Sequence, residues 1–172
     1  DQRKQHQKKR KHELSAEHTI QISEKSKVEV KSIHKSNKPG VVALATIRHP
    51  RTQDEYVLSA GIDKTLVIYN QTAQSILQTL TNSNNKQFNS VDVVCSSSSV
   101  LIGATDTSGV VQVFKDILNE EDSSLVSFEP LDAGLQVVSE EEGDGDVVNV
   151  SFHPLGRYLF VSLTNGKVII VK

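Results

Sequence analysis

Residues 34–80 read HKSNKPGVVALATIRHPRTQDEYVLSAGIDKTLVIYNQTAQSILQTL. Four short apolar runs lie inside this stretch, at 41–47, 56–60, 65–69 and 75–80, and turn-forming residues separate each from the next. Runs of this length, rich in Val, Ile, Leu and Tyr and bounded by Gly, Asp, Asn, Gln and Thr, predict strands joined by hairpins. GIDK (61–64) is the tight turn between the second and third, and NQTAQ (70–74) joins the third to the fourth. Four strands in about forty residues is the size of one blade of a β-propeller. A blade cannot bury both faces alone, and the run VVALATI is apolar on both, so neighbours are expected on either side.

The rhythm recurs. Residues 88–95, 100–104 and 110–114 predict the first three strands of a second unit. Its fourth strand has two candidates, 125–128 and 135–138, because the segment that should hold it is long and acidic. A third unit follows: DVVNVSFHP, then GRYLFVSL after a His-Pro-x-Gly turn, then KVIIVK. The three third strands begin at 65, 110 and 167, intervals of 45 and 57, and the acidic insertion supplies the excess. The expected fold is all-β, an incomplete propeller of about two and two-thirds blades, with units at about 40–80, 88–146 and 147–172. Seven blades need roughly 300 residues, so 172 residues read as part of a longer protein.

Charge divides the chain. Residues 1–38 carry eleven Lys/Arg against five Asp/Glu, a net +6, whereas residues 39–172 carry eight against sixteen, a net −8. The start, DQRKQHQKKRKHE, has no apolar residue to offset the entropy of ordering. Residues 1–33 are therefore expected to be a largely disordered basic arm, with a weak alternation near Ile20, Ile22, Val28 and Val30 that allows an edge strand. Residues 120–146 hold ten Asp/Glu and no Lys/Arg. They read as a solvated loop, with docking of a basic partner as the sharper alternative. GDGD (143–146) lacks the ligand spacing of an EF-hand, so no calcium site is expected there.

Few residues carry chemistry. Cys95, the single cysteine, precludes an internal disulfide, suits a reducing compartment and reads as a small hydrophobe in a strand. No run approaches the eighteen apolar residues of a membrane helix. No nucleophile elbow, phosphate loop or dinucleotide fingerprint occurs among the motifs. His49-Pro50 and His153-Pro154 each follow a first strand, a repeated turn device and no ligand pair. No catalytic, cofactor-binding or metal-binding residue is expected in this chain, and no cofactor.

The units resemble WD repeats. Such a unit carries an Asp in the turn between its second and third strands, six residues before an aromatic, and Asp63 and Tyr69 stand at that spacing. The carboxylate there accepts backbone amide hydrogens and holds the turn closed. In the second unit Asp106 is displaced and Ser108 fills the equivalent slot; in the third, Asn165 fills it and Val171 replaces the aromatic. The Gly-His pair expected before a first strand is missing.

The segment HKSNKPG leading into this blade, with the preceding KKRKHELSAE, resembles the pre-mRNA-processing factor 19 family, at the junction of its linker and its WD-repeat domain. That resemblance implies the substrate- and partner-binding part of a nuclear ubiquitin-protein ligase acting in pre-mRNA splicing and DNA repair. It implies a parent that is a homotetramer, whose U-box recruits a ubiquitin-conjugating enzyme and whose partners belong to a spliceosome-associated complex. The U-box itself is absent from these residues. Lys8, Lys9, Arg10 and Lys11 form a candidate nuclear-import cluster; a solvated charge run and contact with RNA backbone are the other readings. The alternative function is a non-catalytic WD-repeat scaffold of another intracellular assembly.

Overall fold

The computed structural model describes residues 32–34, 40–119, 126–138 and 145–172. The chain divides into two units, Asp1–Lys31 and Ser32–Lys172. The first, with the expected basic arm, edge strand and Lys8–Lys11 cluster, lies outside the described residues, as do 35–39 of the HKSNKPG segment.

Every regular element among the described residues is a β-strand, and the strands form three antiparallel sheets. Blade 1 comprises β1 (Val41–Arg48), β2 (Glu55–Gly61), β3 (Thr65–Asn70) and β4 (Ser75–Thr81), paired in chain order. Blade 2 comprises β5 (Phe88–Cys95), β6 (Val100–Asp106), β7 (Val110–Leu118) and β8 (Val126–Pro130), with β9 (Leu135–Gln136) also on β7. Blade 3 comprises β10 (Val147–Phe152), β11 (Leu159–Leu163) and β12 (Val168–Val171).

The two candidates for the fourth strand of blade 2 are both used. β8 pairs with the far half of β7, from Phe114↔Pro130 to Leu118↔Val126, and β9 with its near end, at Val110↔Gln136 and Val111↔Leu135. One interrupted strand runs back along β7, its break at 131–134 held by a bond from Leu131 N–H to Val113 O (2.8 Å).

The blades repeat in backbone detail as well as in strand count. Each first strand shifts register at the same place, between Val41 and Ala43, Phe88 and Ser90, and Val147 and Asn149, the signature of a β-bulge. Each turn from second to third strand donates an amide to the residue preceding the first strand: Ile62 to Gly40, Thr107 to Gln87, Thr164 to Asp146. The third turn residue is left-handed each time, at Lys64 (φ 69°), Gly109 (φ 79°) and Gly166 (φ 81°). By this register Asp63, Ser108 and Asn165 are equivalent, and so are Gly61, Asp106 and Leu163.

First strands lie side by side, β1 against β5 and β5 against β10, so successive sheets stack face to face. One core lies between blades 1 and 2, including Tyr56, Leu58, Ile68, Phe88, Ile102, Phe114 and Phe128. A smaller one joins blade 2 to blade 3 through Val111, Val150, Leu159 and Val161. β6, sandwiched between neighbours, is buried along nearly its whole length, while β11 alternates. The two outer faces stay open: Val42 and Leu44 stand exposed on blade 1, Val148, Val168 and Ile170 on blade 3. The apolar second face of VVALATI is therefore uncovered here. Cys95, expected inside a strand, is the last residue of β5 and exposed, because the hairpin turns out to solvent beyond it.

Candidate functional site

Asp63 sits in the β2–β3 turn and accepts hydrogen bonds from the Thr65 hydroxyl (Oδ1, 2.7 Å) and the Thr65 amide (Oδ1, 3.2 Å). His34 reaches it from 29 residues upstream, Nδ1 donating to Oδ2 at 3.0 Å. The opposite ring nitrogen, Nε2, lies 2.8 Å from the Ser59 hydroxyl on β2, which donates to it in the tautomer this network selects. Burial would raise the Asp63 carboxyl; the hydrogen bonds from Thr65 and His34 outweigh it and hold the carboxyl below its ordinary range.

Ser59, His34 and Asp63 thus line up as a hydrolase relay does. Ser59, however, is fully buried, so its hydroxyl meets no substrate. The arrangement fastens the segment before β1 to the turn after β2. Tyr69, six residues after Asp63, is buried on β3, paired across strands with Val57 and Ile76.

Blade 2 closes the same turn from a different residue. Asp106 stands where blade 1 has Gly61, and its Oδ1 accepts the Ser108 amide (2.9 Å), the Ser108 hydroxyl (2.7 Å) and the Val110 amide (3.2 Å). Asn82 takes the place of the histidine, donating Nδ2 to Asp106 Oδ2 at 2.9 Å. Burial again opposes ionisation, and the bonds from Asn82, Ser108 and Val110 again leave the carboxyl below its usual value. A Cβ on Gly61 would come within 2.4 Å of Asp63 Oδ1 and 2.6 Å of the His34 ring. The carboxylate of one blade therefore occupies the side-chain space that Asp106 fills in the other. In blade 3 the neutral Asn165 accepts the Lys167 amide at 3.0 Å.

Two histidines organise the opposite ends of the blades. His49 Nδ1 accepts the Thr52 amide (3.2 Å) and His153 Nδ1 the Leu155 amide (3.2 Å), so both His-Pro sequences close their hairpins. His49 does more: it is fully buried, and Nε2 donates to Asp116 Oδ2 of blade 2 at 3.1 Å. Asp116 Oδ1 in turn accepts the Val100 amide at 2.8 Å.

Sequence reasoning placed Asp63 and Tyr69 but missed His34, Asn82 and the His49–Asp116 pair. No local signal marked His34, whose partners Ser59 and Asp63 lie 25 and 29 residues along the chain. No group of three His, Cys, Asp or Glu capable of holding a metal occurs among the described residues.

No protein-family model matches the chain, and no curated protein sequence matches it. Among solved structures it is similar to the β-propeller domain of Cps50 (Swd1) from Myceliophteria thermophila, with a TM-score of 0.54 and 11% identity. The alignment covers 83% of this chain and 47% of that one, so the chain spans about half the length of that propeller. The likeness establishes the fold: an all-β, open arc of a β-propeller.

Proposed function

We propose that this arc is a protein-binding scaffold, and that it is the substrate- and partner-binding part of a nuclear ubiquitin-protein ligase of the pre-mRNA-processing factor 19 kind, acting in splicing and DNA repair. The scaffold reading is carried by one observation: the described His, Ser and Asp groups that cluster as a catalytic set would are spent on closing turns and joining blades. Ser59, His34, Asp63, Asp106, His49 and Asp116 are all buried or hydrogen-bonded within the blades. What a partner meets is the surface of the hairpins and strand edges.

The ligase reading is supported by HKSNKPG and the basic KKRKHELSAE before it. Transfer of ubiquitin then belongs to a U-box in the parent protein, which positions a charged conjugating enzyme, and this arc selects what is modified. The coding sequence upstream of Asp1 tests this. A U-box followed by a heptad-patterned helix is the expected result, together with a tetrameric parent in solution. An upstream region encoding neither removes the ligase and leaves a scaffold of another assembly.

A further inference from the structure

We propose that the cleft between the hairpin ends of blades 1 and 2 binds a phosphorylated serine or threonine of a protein partner. The cleft, about 510 Å³ in volume, is walled by Arg51 from the β1–β2 hairpin, Ser98 and Ser99 from the β5–β6 hairpin, and Lys115, Asp116 and Asn119 from β7 and its end. Two cations from different blades thus line one cleft, although residues 39–172 carry twice as many acids as bases. Neither forms an ion pair among the described residues. Among the described residues the ion pairs are His34–Asp63 and His49–Asp116, and Glu129, opposite Lys115 in the β7–β8 register, forms none with it.

The one carboxylate in the wall is occupied from behind. Asp116 takes the His49 Nε2 proton on one oxygen and the Val100 amide on the other, and its side chain is 2% exposed. It holds the two blades together beneath the cleft, and the two cations outnumber this one carboxylate in the lining. The serine hairpin is tied by its own backbone: Ser96 N–H donates to Ser99 O (2.8 Å), and Ser96 Oγ accepts the Ser99 amide (3.1 Å). That leaves the Ser98 hydroxyl as a donor with no partner among the described residues.

A guanidinium, an ammonium and a hydroxyl among the residues lining one cleft match the three acceptor oxygens and near-double charge of a phosphate monoester better than a single carboxylate. No aromatic ring lines the cleft, so a nucleotide base has nothing to stack on. The inference rests on the scaffold reading and is independent of the ligase.

The test is fluorescence anisotropy with a labelled phosphoserine peptide library and its unphosphorylated counterpart, on the 172-residue chain with folding checked by circular dichroism. Phosphopeptide binding that inorganic phosphate competes away, and that weakens at least about tenfold in R51Q/K115Q, is expected. Lys64→Gln, at the other end of blade 1, should leave binding unchanged. Equal binding of the unphosphorylated library, equal binding by the double variant, or no binding of the phosphopeptides would overturn the proposal. None of these outcomes bears on whether a U-box lies upstream.

Discussion

At the scale of single residues, the chain shows two ways to put a carboxylate in one place. Blade 1 removes the side chain at position 61 and swings Asp63 into the gap; blade 2 plants Asp106 at the equivalent position directly. Each carboxylate accepts several bonds while largely buried, so removing one strands its donors. Asp63→Ala and Asp106→Ala should each cost about 2–3 kcal/mol in chemical denaturation. Both carboxyls are held below their ordinary value, so the stability they confer is fully present above about pH 4 and is lost as pH falls through the folded values. A pH series of melts should show the acid-side loss of stability shallower in Asp63→Asn than in the parent chain. The glycine turns give a second contrast. Gly109→Ala combines left-handed strain with a Cβ placed 2.7 Å from Val138, whereas a Cβ on Gly166 meets open space. Gly109→Ala should therefore destabilise by more than the roughly 1–2 kcal/mol expected of Gly166→Ala, measured by urea unfolding.

At the scale of elements, legibility followed distance along the chain. The strands of blade 1 could be read because alternating apolar runs and their bounding Gly, Asp and Asn residues are local signals. The return strand of blade 2 could not be settled, because it is interrupted at 131–134 and lies within an acidic segment whose composition hides the pairing. His34 escaped because its partners Ser59 and Asp63 lie 25 and 29 residues away, beyond any spacing rule. Gln78 is a further case, since nothing in SILQTL announces that its side chain serves another blade. Its Nε2 donates to Phe128 O (2.9 Å) and its Oε1 accepts the Phe128 amide (2.8 Å), so one side-chain amide mimics strand pairing along the edge of β8. Gln78→Ala should lower stability by about 1–2 kcal/mol. Exchange in β8 should accelerate before that in β6.

At the scale of the whole molecule, the described fold is an arc whose stability depends on stacking. Only blade 2 has a sheet packed on each face; the apolar side chains of Leu44 at one end and Val168 and Ile170 at the other stand in solvent. In a repeat architecture each unit draws much of its stability from its neighbours, so end units are the weakest. The isolated 172-residue chain should accordingly melt broadly as a monomer, and a sharp two-state calorimetric transition would count against this. The central claim, three stacked blades with the middle one enclosed, is tested most directly by residue-resolved amide hydrogen exchange of this chain. The account predicts the slowest exchange in β5, β6 and the β6-paired part of β7, and the fastest strand exchange in β12. Protection of β12 equal to that of β6 would contradict it.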